Sequence, residues 1–219
     1  MSGLVAEGLH VRIGAIEALR GFSLTAGTGE LVGLSGRNGA GKTTFMKAVM
    51  GLRAPAKGTV HLDGEDLGAV PIHARAALGI GYMPEDRGLV PELTVEENML
   101  LPSWVTPGLD GPGRLEAVYD AMPEVAEMRG RRALLLSGGQ QKLVALGRAM
   151  AAGTRLLLLD EPFEGVAPAL AQRLGEVIER LKGGAVTVVL SQSEMHHAFE
   201  MFDHEVVIER GANRAPAPT

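Results

Sequence analysis

Cysteine is absent from this 219-residue chain. That excludes a disulfide frame, a thiolate nucleophile and a Cys-ligated zinc. Excess positive charge is absent as well: 21 Lys and Arg stand against 26 Asp and Glu, a formal net charge of −5. Chains that live on nucleic acid are usually basic, so neither DNA nor RNA is expected as a partner. No apolar run reaches the roughly 18 residues that read as a membrane-spanning helix. The strongest candidate, Leu156 to Leu159, stops at Asp160. The segment Met1 to His10 has neither the basic start nor the apolar core of a secretory signal. No internal repeat is visible. Such a chain is expected to be soluble by itself and to work at a membrane only through a partner.

What is present is a hydrophobic fraction of 46% in a length that suits one domain with an inserted lobe. Short apolar runs alternate with stretches of helical period, the pattern of an α/β protein. Strands are expected at Leu31–Leu34, Thr59–Leu62, Gly79–Met83, Leu156–Leu159, Val186–Leu190 and Val206–Ile208. Helices are expected at Gly41–Met50, Leu115–Met122 and Leu143–Met150. Strand signals vanish between Thr94 and Met150, so residues 94–150 read as a mostly helical insert in a parallel-sheet core. Within it Ser103–Gly113, rich in Pro and Gly, reads as a loop. The domain is expected to span residues 1–211. Alternating Ala and Pro near the end predict a disordered tail over 212–219.

Gly36, Arg37, Asn38, Gly39, Ala40, Gly41, Lys42 and Thr43 fit the phosphate-binding P-loop pattern completely, and with Thr44 they form the expected nucleotide-contacting stretch. The motif follows an apolar strand and opens a helix, which is the context the pattern requires. Its glycines let backbone N–H groups converge on phosphate oxygens, and the helix N-terminus favours an anion. Lys42 can reach the β and γ phosphates of ATP, and the Thr43 hydroxyl can serve Mg²⁺. The run Leu156 to Asp160-Glu161 supplies the second half of such a site. Asp160 would hold Mg²⁺ through its water shell, and Glu161 would polarise the attacking water as general base. Leu136-Ser137-Gly138-Gly139-Gln140 then gives a capped helix start with exposed backbone N–H groups, a second anion site with no second P-loop to serve.

With this last motif the chain resembles the ABC ATPase family, in order and spacing, from about Leu4 to Gly211. The resemblance implies a P-loop NTPase fold: a parallel core sheet, an N-terminal antiparallel subdomain and a helical signature lobe. It also implies that two ATPase domains meet head to tail, so that Ser137, Gly138, Gly139 and Gln140 contact ATP held by the partner's P-loop. The implied partners are a second ABC ATPase subunit, a non-identical homologue, and transmembrane permease subunits, with an extracytoplasmic solute-binding protein engaged indirectly. The implied location is the inner face of the cell membrane, as a peripheral cytoplasmic subunit. Gly79 to Arg87, Leu93 to Asn98 and Asp160 to Pro168 are similar to the smaller ATPase type of branched-chain amino acid importers. Urea, amide and other amino-acid importers have similar ATPases.

Several positions depart from the family pattern. Ile13 stands where many members stack adenine on an aromatic ring. An aliphatic side chain packs on a base without π-stacking, which implies weaker nucleotide binding. Alternatively, Ile13 is only a strand residue and Arg12 covers the base. Glu85 replaces the usual Gln; its carboxylate can ligate Mg²⁺, the alternative being a surface role. Gln192 stands where the family carries a switch histidine, and its amide can donate to the γ-phosphate without carrying charge. His196 and His197 are expected at the surface of the next helix. Phe163 replaces a small polar residue and reads equally as a dimer-interface or a local core contact. The chain stops soon after Gly211, where relatives run on through another short strand and helix. Two rival readings stay open: a non-transport ABC ATPase, and a catalytically weak partner ATPase.

Overall fold

The computed structural model describes residues 3–193 and 201–214. The chain opens with strands β1 (Gly3–Ile13) and β2 (Ile16–Gly27), then β3 (Leu31–Ser35) and helix α1 (Lys42–Val49). Strands β4 (Lys57–Leu62), β5 (Glu65–Asp66) and β6 (Ile80–Met83) follow. A run of helices comes next: α2 (Val95–Val105), α3 (Gly111–Ala121), α4 (Pro123–Ala126) and α5 (Gly138–Ala152). The core resumes with β7 (Leu156–Asp160), α6 (Pro168–Glu179), β8 (Thr187–Gln192), β9 (His204–Glu209) and β10 (Ala212–Asn213).

Two sheets result. The N-terminal one is antiparallel, in the order β2-β1-β4-β5. The core sheet has the order β10-β9-β3-β8-β7-β6 and is parallel except for the β9/β10 pair. This is the expected parallel core with an antiparallel subdomain and a helical lobe. Every residue of β3, β7 and β8 is buried, as in strands covered on both faces, and each reads as a short apolar run. β1 alternates instead, but with a change of phase: Leu4 and Ala6 are buried, then Leu9 and Val11. A one-residue shift would turn the second half of the strand inside out. An irregularity between Ala6 and Leu9, with Gly8 at φ 55°, absorbs it.

Apolar side chains cover the core sheet on both sides. One cluster joins it to α1 and the antiparallel sheet through Leu34, Phe45, Phe22 and Leu9. Phe22 and Phe45 meet edge to face with centroids 5.3 Å apart. The other cluster joins the opposite face to α2, α5 and α6 through Met99, Leu146, Leu174 and Ile178. Gly147 of α5 permits this approach: a Cβ there would stand 3.0 Å from Met99 Sδ and from Val118 Cγ1.

Two expectations need correction. The loop expected over Ser103–Gly113 is shorter, because α2 continues to Val105 through Pro102 and α3 begins at Gly111. Pro102 lies in the last turns of α2, where one lost backbone bond is tolerated, and Asp110 caps α3 by accepting from Gly113 N–H at 3.0 Å. Residues 212 and 213, expected in a disordered tail, are ordered. Ala212–Asn213 pair with β9, and the Asn213 amide bonds both backbone groups of Ser23, at 2.8 and 2.7 Å. Residues 215–219 lie outside the described ones.

Candidate functional site

The P-loop follows β3 and leads into α1, with Gly39 at φ 79° and Gly41 at φ 119°. Gly41 is required twice over. Its backbone is left-handed, and a Cβ would stand 2.9 Å from Leu19 Cδ2 and 3.0 Å from the Ala18 carbonyl. Lys42 is 5% exposed. Its Nζ donates to the carbonyls of Gly36 at 2.6 Å and Arg37 at 3.2 Å, and lies 3.1 Å from Glu161 Oε1. The loop's only lysine is thus already aimed into the curl of the loop.

Parallel pairing of β7 with β8 and of β8 with β3 brings the acids beside this loop. Asp160 is fully buried and accepts from Ser191 Oγ at 2.7 Å and Tyr82 OH at 3.4 Å, and also from Thr43. Burial, with the neighbouring Glu161 charge, holds its carboxyl above the usual carboxylate range against those three hydrogen bonds. Burial and the carboxylate of Asp160 push the Tyr82 phenol up as well. Glu161 adopts a left-handed backbone, φ 50°. Its N–H donates to Ser191 Oγ at 3.1 Å, and its carboxylate accepts from Ser193 N–H at 3.0 Å and from the Ser193 hydroxyl. Glu85, Thr43, Tyr82 and Asp160 line one cavity of about 680 Å³ between core and helical lobe. Partial burial, then the charges of Glu164, Asp160 and Glu161, raise the Glu85 carboxyl above its ordinary range. A concentration of acids that resists ionisation in this way suits a cation.

Gln192 ends β8, in register with Ser35, and its carbonyl accepts from Gly36 N–H at 3.3 Å. Its side chain is buried, 6% exposed, and Nε2 has no hydrogen-bond partner among the described residues. Gln192 therefore does not face solvent. A buried N–H without a partner costs about 1–3 kcal/mol. Beside a P-loop it suits an acceptor such as a phosphate oxygen.

Ser137 caps α5 in a reciprocal box: Ser137 Oγ accepts from Gln140 N–H at 3.3 Å, and Gln140 Oε1 accepts from Ser137 N–H at 3.0 Å. No hydrogen bond or ion pair among the described residues joins Ser137, Gly138, Gly139 or Gln140 to the P-loop. A Cβ on Gly138 would meet only the Arg87 guanidinium, at 3.6–3.9 Å, an ordinary contact. The chain's own packing does not demand glycine there. Ile13 sits at the β1/β2 hairpin, 43% exposed, next to the more exposed Ile16. Phe163 packs locally, against the apolar cluster on the α5/α6 face. His196 and His197 lie outside the described residues.

Two site neighbours escaped the sequence reading. Tyr82 was visible only as part of a softer motif. Lys142, on α5, is 4% exposed and donates to the carbonyls of Glu161, at 2.9 Å, and Glu164. Its one outward sign was a charge immediately before the apolar run Leu143-Val144-Ala145-Leu146 on a helix. Burial lowers its pKa.

A family profile described as "ABC transporter" matches residues 19–164. The high-affinity branched-chain amino acid transport ATP-binding protein BraG of Pseudomonas aeruginosa is 36% identical over 198 residues, 90% of this chain and 85% of BraG. The lipopolysaccharide export system ATP-binding protein LptB of Haemophilus influenzae is 33% identical, over 96% of this chain and 88% of LptB. Among solved structures, an ATP-binding cassette of an ABC transporter in its ADP conformation matches with TM-score 0.84 and 26% identity, covering 98% of this chain and 90% of that one. A dimeric cassette in a post-hydrolysis state with ADP and Pi matches with TM-score 0.85 at 22% identity, covering 97% of both chains, a likeness of fold.

Proposed function

This chain belongs to the ABC transporter family as an ATP-binding and ATP-hydrolysing subunit, and on that premise we propose that it drives an importer for branched-chain amino acids or a related small polar solute. The observation that carries the reading is the convergence of Lys42, Asp160, Glu161 and Gln192 on one P-loop. The identity to BraG, together with the Gly79–Arg87 and Asp160–Pro168 runs, supports the cargo class.

The reaction is ATP + water → ADP + phosphate. Backbone N–H groups of Gly36 to Thr44 hold the phosphates, and Lys42 exchanges its carbonyl partners and Glu161 for the β and γ oxygens. Glu161, released from Lys42 and still tied to Ser193, takes the proton of the attacking water. Gln192 Nε2 donates to the γ-phosphate or to that water. No covalent step is needed, since positioning and charge stabilisation suffice. Thr43, Asp160 and Glu85 are the residues that would hold Mg²⁺. The described residues contain no group of three or more His, Cys, Asp or Glu able to hold a metal alone, so phosphate oxygens and water complete the set. Bound there, Mg²⁺ supplies neutralising charge to the β and γ phosphates.

Ser137, Gly138 and Gly139 act in trans, on ATP held by a second ATPase subunit. Their separation from this chain's P-loop and the spare room at Gly138 support this. Family membership supports permease subunits that carry the solute, with this chain seated against them on the cytoplasmic face; no described helix is itself long and apolar enough to cross a membrane. Exposed apolar side chains fit such a partner: Leu52, at 45%, lines the cavity between core and lobe, and Trp104, at 56%, and Val105, at 72%, stand at the end of α2.

Co-purification of the tagged chain from membranes tests the proposal. Recovery with permease subunits that stimulate its ATPase activity only when a binding protein brings a branched-chain amino acid is the expected result. A second reading, lipopolysaccharide export, draws on the identity to LptB. Recovery with lipid-export subunits, and no response to amino acids, would establish it instead.

A further inference from the structure

Lys142 carries a charge that packing does not need. It sits at the N-terminal edge of the apolar stretch of α5, directly after Gln140 and Gln141, yet is only 4% exposed, and among the described residues its ammonium forms no ion pair with a carboxylate. Its hydrogen bonds go to two backbone carbonyls, those of Glu161 and Glu164. A buried ammonium is costly to keep, and an apolar side chain would fill the space at no such cost. The segment it grips is a turn in which Glu164 N–H donates to the Glu161 carbonyl at 3.2 Å. That turn holds Glu161 at φ 50°, a left-handed backbone that costs a residue with a side chain about 1–2 kcal/mol. Without a clamp the turn can relax, and the Glu161 carboxylate swings with it.

We propose that Lys142 is a positioning residue for Glu161, keeping the left-handed turn that aims the base at the P-loop. The same helix begins with Ser137, Gly138 and Gly139. A movement of α5 toward nucleotide in the partner subunit therefore pulls, through Lys142, on the base of this chain's own site. This second consequence rests on the head-to-tail reading above; the clamp itself does not.

The test is a double-mutant cycle on the full chain under conditions in which the wild type hydrolyses ATP. Lys142→Met keeps a long apolar stem and removes the donors. It is expected to lower kcat at least about tenfold, the scale of a small misplacement of a reacting group, with KM and nucleotide affinity within twofold of wild type. Lys142→Gln, which keeps N–H donors, is expected to recover part of kcat, and it carries the cycle if the Met variant does not fold. In a Glu161→Gln background neither change should slow residual single-turnover hydrolysis further, because Lys142 acts through Glu161. Unchanged kcat in the single variants overturns the proposal. So does an equal fall in both backgrounds, which would mark Lys142 as a purely structural residue. If hydrolysis proves independent of any second ATPase chain, the dimer reading fails while the cycle still decides the clamp.

Discussion

Gln192→Met separates stability from function. The substitution exchanges a buried amide for a thioether of similar length. Nε2 has no partner among the described residues, and a buried orphan donor costs about 1–3 kcal/mol. Removing it should stabilise the nucleotide-free chain by about 1 kcal/mol, once an imperfect apolar fit is subtracted. For a domain of this size that is a rise in Tm of about 2–4 °C. The same change takes from the γ-phosphate a preorganised donor, and donors of that kind are worth about 10²–10³ in kcat where charge develops. ATP binding should persist, because the P-loop is untouched. Calorimetric melting of the nucleotide-free chain, paired with steady-state ATPase rates, gives both numbers. A variant that melts several degrees lower shows that the amide has a structural partner after all. A variant hydrolysing at the wild-type rate shows that Gln192 has no part in the reaction. As a control, Gln192→His should remain active and gain an acid limb near pH 6–7, since histidine's unperturbed pKa is about 6.5.

Glu161→Gln should bind ATP and hydrolyse it about 10²–10⁴-fold more slowly, the usual contribution of a general base; wild-type turnover would remove Glu161 from that role. Lys42→Ala should abolish most ATP binding, and near-normal affinity by calorimetry would contradict the P-loop assignment. Gly138→Asp should leave folding and ATP binding by the single chain intact, because the position has room, but should prevent ATP-driven pairing with a second subunit; light scattering that still shows pairing refutes the trans contact. The Asp160 carboxyl is held above its ordinary value by burial, so stability present at low pH is lost as pH rises through that raised value. Asp160→Asn should therefore melt higher than wild type at pH 7.5, with the advantage shrinking toward acid, and should lose the extra stabilisation that Mg²⁺ adds to ATP. A wild type that gains stability from pH 5 to 7.5 relative to this variant would reverse the sign of the argument.

Contiguous motifs made much of this protein legible before any coordinates. Gly36 to Thr43 specifies a strand–loop–helix anion site because its glycines, lysine and hydroxyl act within one turn of chain. Leu156 to Glu161 reads as a buried strand with acids at its end because parallel strands are apolar on both faces. Ser137 to Gln140 announces its helix because a capping box is a local device. Where local signals conflict, the reading failed. β1 changes phase at Gly8, which hides its alternation, and α6, which buries Leu174, Val177 and Ile178 at helical spacing behind a proline start, was not among the expected helices. Pro102 likewise concealed the end of α2.

Tertiary structure alone decided what the motifs do to one another. The order β3-β8-β7 sets Ser35 against Gln192 and Asp160 against Ser191, and so places Gln192 in the interior. It also brings Lys42 to 3.1 Å from Glu161. Packing of α5 on the core carries Lys142 to the carbonyls of Glu161 and Glu164, partners that its neighbouring residues do not identify. Local chemistry is written in short stretches of sequence, because a turn, a cap or a buried strand involves residues that are already neighbours. Burial and pairing depend on which distant strands lie side by side, and that is set by packing the whole chain at once.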